Sequence, residues 1–266
     1  MSVDRVISEV ADLAPMPRTP VLEIRRNSGS HDFQASRMSV VEIDPLQDPR
    51  WTAFTDARRD ASIFHRREWL EALKTCYGYL PRALSTSPAN LPLSNAVVFC
   101  EVRSALTGKR FVSLPFSDHC ELLVDDSEQL NLFIDCLNDS VIANGWKYFE
   151  VRPVGRVPSP QKSLAISNSY YLHRLDLRRS EESLFRSFHR DCVQRKIRRA
   201  EREALRYEEG SSELLLNQFY RLMIVTRRRQ GLPPQPLKWF RTLIHSWAMT
   251  LRFESLSSRT SRSRAF

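Results

Sequence analysis

The sequence predicts an α/β (α+β) protein: a mixed sheet with flanking helices, followed by a helical pair and an incomplete second domain. Three observations carry this prediction. Short strand-like runs cluster between residues 81 and 152 and are interrupted by one strongly amphipathic helix. From residue 181 the pattern turns helical, with apolar residues at three- and four-residue spacing. The 266 residues, 42% hydrophobic and 27% charged, supply enough apolar material for one full core and part of another.

Residues 1–38 read as a disordered leader, because Pro15, Pro17 and Pro20 interrupt it and the stretch 27–34 is polar. Periodic pattern begins at Met38, which makes that methionine an alternative start. Residues 39–178 form the first domain. Helices are expected at 48–57 and 65–77, the second placing Trp69, Leu70, Leu73 and Cys76 on one side and stopping at Gly78. Strands are expected at 81–86, 94–103, 110–116 and 120–124. Ser127 is positioned to cap a helix whose Leu130, Phe133, Ile134, Leu137 and Val141 form one apolar stripe, ended by Gly145. Strands at 147–152 and 170–177 complete a mixed or antiparallel sheet with helices packed on it.

Residues 179–232 read as a basic helical hairpin. Its first helix, 181–207, carries Leu184, Phe188, Cys192, Val193 and Ile197 on its apolar side. Its second, 212–230, turns Leu215, Phe219, Leu222 and Ile224 or Val225 inward, and Gly231, Pro233 and Pro234 stop it. Residues 233–252 begin a second domain with a helix opening at Pro236 and carrying Leu237, Phe240, Leu243, Ile244 and Trp247. Residues 253–266, rich in Ser and Arg, read as a disordered tail.

Composition excludes several function classes. The seven glycines never come closer than ten positions apart, so a Rossmann G-x-G-x-x-G, a Walker loop and a G-x-S-x-G elbow are all absent. Any bound phosphate must be held by side chains or by an ordinary helix N-terminus. The net charge of +9 is uneven: residues 178–266 carry 20 Lys and Arg against 9 Asp and Glu, and the remainder is near neutral. That asymmetry points to an anionic partner (phosphate, nucleic acid, a nucleotide-linked substrate or a membrane surface) or to a solvated helix face. The five cysteines are odd in number and lack a C-x-x-C, so neither a disulfide framework nor a zinc site is expected. Their usage suits a reducing compartment, and the absence of a signal-peptide pattern or a long apolar run suits the cytoplasm.

The basic helix holds the main candidate site. At 3.6 residues per turn Arg195, Arg198, Arg199 and Arg202 share one face, and guanidinium groups grip phosphate through paired hydrogen bonds. The opposing reading is a solvated face partly neutralised by Glu201 and Glu203. A nucleic-acid-binding surface on residues 186–206 is the alternative function, although no helix-turn-helix, zinc or RNP pattern accompanies it. Arg227, Arg228 and Arg229 suit the negative end of a helix dipole. Ser117, Asp118 and His119 are consecutive and cannot converge as a triad, so they read as a turn between strands. His189-Arg190-Asp191 lacks the asparagine a kinase loop requires, because position 196 is Lys. Cys192, three residues after His189, reads as a buried thiol or as a Cys–His nucleophile. No catalytic residue and no metal-ligand spacing is apparent.

Four stretches carry a family resemblance: Ser62 to Gly78 (SIFHRREWLEALKTCYG), Leu114 to Glu121 (LPFSDHCE), Phe188 to Arg202 (FHRDCVQRKIRRAER), and Phe219-Tyr-Arg-Leu with Thr226 to Pro234 (TRRRQGLPP). With these the chain resembles the FemAB-like, GNAT-related N-acyltransferases, the peptidoglycan aminoacyl transferases and their exopolysaccharide-locus relatives. The resemblance implies two GNAT-like halves joined through the helical pair. It implies transfer of an acyl or aminoacyl group to an amine of a cell-wall or polysaccharide precursor, with acyl-CoA or aminoacyl-tRNA as donor. It aims the Arg195, Arg198, Arg199 and Arg202 face at a phosphate-bearing substrate, either a nucleotide- or lipid-linked precursor or aminoacyl-tRNA, and places Ser117 and Asp118 beside the substrate cleft. The second half is expected to be incomplete, because the chain ends soon after the helix at 236–249. Where a GNAT site would present a glycine turn to pyrophosphate, this chain has Leu123-Val-Asp-Asp-Ser-Glu128, so the first half is expected to bind no acetyl-CoA.

Overall fold

The structure, a computed structural model, describes residues 18–25, 39–104, 108–154, 164–203, 206–247 and 253–257. The chain divides into two units at Leu172/His173. Unit 1 contains β1 (Arg18–Arg25), β2 (Val41–Ile43), α1 (Arg50–Ala57), α2 (Arg67–Tyr77), β3 (Leu80–Ser85), β4 (Val97–Ser104), β5 (Gly108–Val112), α3 (Ser127–Ala143), β6 (Tyr148–Val151) and β7 (Leu164–Tyr171). Its strands form one seven-stranded sheet in the order β2-β3-β4-β5-β6-β1-β7. Every pairing is antiparallel except β5 with β6, which is parallel. Parallel neighbours need a crossover, and α3 supplies it. The mixed sheet with flanking helices is the architecture expected.

The core follows from the sequence pattern. Leu130, Phe133, Ile134, Leu137 and Val141 of α3 are all buried, as their spacing predicts, against Leu84, Val97, Phe99, Phe111, Phe149 and Val151 of the sheet. β4 is buried continuously from Val97 to Val102, which happens only where both sheet faces are covered. Trp69, Leu70 and Leu73 of α2 are buried, and Gly78 ends that helix at φ 68°, a left-handed value that favours glycine. The α3 cap is Asp126 rather than Ser127: its carboxylate accepts the Gln129 amide hydrogen at 2.8 Å.

Three sequence expectations are corrected in unit 1. Residues 1–38 are expected to be a disordered leader, yet residues 18–25 form β1, inserted between β6 and β7; residues 1–17 and 26–38 lie outside the described residues. Prolines at 15, 17 and 20 obscure the strand, and only its two partners reveal it. The run 120–124 is not a strand. Cys120 bridges Arg152 and Leu123 bridges Ala96, so the segment passes between neighbours without following one ladder. The strand expected at 170–177 lies at 164–171, because β1 pairs with it from Arg18 opposite Tyr171 to Ile24 opposite Leu164.

Unit 2 contains α4 (Glu181–Ser187), a π-helical turn (Arg190–Gln194), α5 (Arg195–Arg202), β8 (Arg206–Gly210), α6 (Glu213–Arg229), α7 (Leu237–Ser246) and β9 (Phe253–Ser257). The single helix expected at 181–207 is therefore broken. Phe188 is extended at ψ 148°, and the His189 ring accepts the amide hydrogens of Asp191 and Cys192, which caps a new helical start. Residues 206–210 leave the helical pattern and pair antiparallel with 253–257. The tail expected to be disordered from 253 thus begins with a strand, and 258–266 lie outside the described residues. The core of this unit is Leu215 and Leu216, with Phe219, Leu237, Phe240 and Ile244 packed against them. Trp239 and Leu243 of α7 are also buried. Leu222 and Val225, expected inward, are exposed, because the arc of α6 that is covered runs through Leu215, Leu216 and Phe219.

Candidate functional site

The loop from Ser113 to Glu121 leaves β5 and builds one wall of a cleft in unit 1. Leu114 and Phe116 adopt φ values of 48° and 64°, which cost a non-glycine residue about 1–2 kcal/mol each. Hydrogen bonds hold that geometry. Ser117 Oγ donates to the Leu114 carbonyl at 2.6 Å, and Arg152 Nη1 donates to the Ser117 carbonyl at 2.8 Å. The Arg152 amide donates to Ser113 Oγ at 3.1 Å, and the Cys120 amide donates to the Arg152 carbonyl at 2.8 Å. Arg152 also donates through Nε to Glu150 Oε1 at 2.6 Å. The pair is largely sheltered, with the carboxylate side chain 13% exposed.

A cavity of about 610 Å³ opens beside this network. Ser117, Asp118 and His119 line it from the loop, Glu150 and Arg152 from β6 and its end, and Asn168, Tyr170 and Tyr171 from β7. The wall combines a fixed guanidinium–carboxylate pair with hydroxyl, amide and phenol groups, which suits a polar ligand rich in hydrogen-bonding groups. A second cavity of about 630 Å³ lies between α1 and the 89–94 loop and is mainly apolar.

The cleft has a rigid rear support. His65 is fully buried. Its Nδ1 accepts the Ser62 amide hydrogen at 3.0 Å, which leaves Nε2 to donate to the Glu121 carbonyl at 3.0 Å. Burial holds this imidazole below its usual pKa, against the opposing pull of those backbone bonds. Cys120 Sγ lies 3.5 Å from His65 Nε2, but burial pushes its thiol well up and the imidazole proton is already directed at Glu121. The pair therefore makes no thiolate nucleophile. Among the described residues no group of three or more His, Cys, Asp or Glu side chains is arranged to hold a metal ion.

The sequence-predicted residues fall in two places. Ser117 and Asp118 line the unit 1 cleft; the Ser117 hydroxyl is engaged within its own turn and Asp118 is exposed. Arg195, Arg198, Arg199 and Arg202 lie together on α5 of unit 2. Two of them already have internal partners: Arg199 Nε donates to Glu203 Oε1 at 2.7 Å, and the Arg198 guanidinium sits 5.4 Å from the Phe185 ring centroid. Cys192 is exposed, not buried: no residue of α4, the π-helical turn or α5 is buried, so the apolar side expected there lacks a cover; His189 spends its Nδ1 on backbone amides. The N-terminus of α3 already carries the Asp126 carboxylate, and the neighbouring Asp125 pairs with Arg58 at 2.5 Å. Sequence reasoning missed Glu150, Arg152, Tyr170 and Tyr171. The i, i+2 spacing of Glu150 and Arg152 in an expected strand placed both on one face, which is the signal that reaches them.

Fold and cleft define an α/β protein whose larger unit presents a polar pocket beside a strained loop. Among solved structures, FemX is similar over 82% of this chain with a TM-score of 0.54 and 15% sequence identity. The likeness is one of fold. The chain spans 57% of the FemX chain, a little over half its length. No protein-family model and no curated protein matches the sequence. No helix among the described residues is long and apolar enough to cross a membrane.

Proposed function

We propose that this chain is a FemAB-type N-acyltransferase acting in the cytoplasm on a cell-wall or polysaccharide precursor. The observation that carries the reading is the FemX-like fold holding a polar cleft at Ser117, Asp118, Glu150 and Arg152. The precursor occupies that cleft, with Arg152 and Tyr170 contributing hydrogen bonds. Its amine nitrogen attacks the donor's acyl carbon; the new C–N bond forms, the bond to the donor's oxygen or sulfur breaks, and the amine proton is released. The protein's work in such a transfer is to position the two reactants and to stabilise the charge that develops. The donor is an aminoacyl-tRNA or an acyl-CoA. It does not enter at the N-terminus of α3, where Asp126 and Glu128 repel pyrophosphate. Arg195, Arg198, Arg199 and Arg202 contact phosphates of the precursor or donor.

The test is a transfer assay on the full chain. Nucleotide-linked muramyl peptide is mixed with charged tRNA, or with acyl-CoA, and the precursor mass is read by mass spectrometry. A mass increase of one acyl or aminoacyl group is expected, reduced by Arg152→Ala. No increase with either donor overturns the proposal.

A further inference from the structure

Helix α6 turns Leu215 and Leu216 into the unit 2 core, and the arc centred opposite Leu216 faces solvent. At 100° per residue that arc, about 120° wide, carries Leu214, Leu222 and Val225 with Gln218, Arg221, Arg228 and Arg229. Leu214 is 72% exposed, Leu222 48% and Val225 47%. Leu214, Val225 and Gln218 lie near the middle of the arc, Arg221 and Arg228 on one flank, and Arg229 and Leu222 on the other. No carboxylate lies on the arc. The one acid of α6, Glu213, falls outside it and is held by Arg241, whose Nε donates at 2.9 Å. Among the described residues Arg221, Arg228 and Arg229 meet no carboxylate. Leu232, just past the helix, is 48% exposed.

From this arrangement we infer that the outer face of α6 docks on an anionic lipid bilayer. Two chemistries must be satisfied at once. The aliphatic side chains gain by leaving water, and the flanking guanidinium groups gain by pairing with phosphates while their stems lie along apolar surface. An anionic bilayer offers acyl chains beneath a plane of phosphates and meets both demands. Nucleic acid meets only one, because it stacks on aromatic rings and this arc has none. An acidic protein surface would satisfy the arginines but gains from the leucines only through an apolar patch of its own. The helix lies in the interface plane and does not span it.

The inference is independent of the cleft in unit 1, and its test uses no precursor or donor. The full chain is floated with vesicles of phosphatidylglycerol and phosphatidylcholine, and separately with phosphatidylcholine alone. Flotation with the anionic vesicles only, weakening as salt rises, is expected. The double variant Leu214→Asp, Val225→Asp is expected to bind at least about ten-fold more weakly, and Arg221→Ala about five-fold more weakly. Both sites are exposed, so thermal unfolding of the variants matches that of the parent and controls for folding. Absence of flotation overturns the inference, as does wild-type binding by the double variant, which would assign the lipid contact to other basic residues. A parent that is dimeric by light scattering and a double variant that is monomeric would also overturn it, by assigning the face to a second copy of the chain.

Discussion

The two units solve the same burial problem with different means. In unit 1 a seven-stranded sheet gives helices two faces to cover, and Trp51, Leu70, Phe133 and Phe149 are completely or almost completely removed from water. In unit 2 the described sheet has two strands, and Leu216 is its one contribution to the largest fully buried side chains. Apolar periodicity in the two sequences is comparable; the number of surfaces available to receive it is not. A helix stripe is buried only as wide as its neighbours, and α6 packs against α7 and β9 while Leu214, Leu222 and Val225 stay exposed.

The contrast can be broken most forcefully at the centre of unit 1. Phe149 meets Phe99 edge-on at 5.9 Å and has no exposure. Phe149→Ala is expected to cost about 3–5 kcal/mol in urea unfolding, through lost transfer energy and the cavity left behind. In unit 2, Leu216→Ala is expected to cost about 3 kcal/mol locally. Hydrogen exchange should show α6 and α7 losing protection while α3 keeps it; equal loss in α3 would mean that the units unfold as one.

Acid should also separate the units. His65 has a folded-state pKa depressed below its ordinary value of 6.5, so the unfolded chain takes up a proton that the folded chain refuses. The stability due to the neutral imidazole is complete above the unfolded value and declines as pH falls below it, by up to about 1.4 kcal/mol per pH unit until the folded pKa is reached. His65→Gln should flatten the slope of unit 1 stability in that window and leave protection in unit 2 unchanged. The smallest effects belong to helix caps. Asp126→Ala in unit 1 and Ser212→Ala in unit 2 each remove an acceptor for a first-turn amide, from Gln129 and Leu215 respectively. Each is expected to cost about 1 kcal/mol, a larger share of the stability of the smaller core. Loss of the same fraction of folding stability in both units would remove the distinction.

Legibility in the sequence followed distance along the chain. The α3 stripe was readable in full because its contacts recur within eleven residues of one helix. Ser117 and Asp118 were readable as a loop beside a cleft only through the family resemblance, whereas Glu150 and Arg152 needed the structure. Their importance comes from Arg152 reaching back 35 positions to the Ser117 carbonyl. Tyr170 and Tyr171 were placed at the start of a strand and stand at its end, since β7 takes its limits from β1, far away in sequence.

Local pattern by itself determined the class of the fold, the position of most helices, the glycine stop at Gly78 and the gathering of four arginines within two turns of α5. These depend on side-chain periodicity and backbone preference, which act over a few residues. Tertiary structure decided that residues 18–25 enter the sheet, that 253–257 pair with 206–210, and that α6 leaves Leu214 and Val225 in water. A strand acquires its hydrogen bonds, and a helix stripe its cover, only from partners brought close by folding, so neither outcome is written in the segment that experiences it.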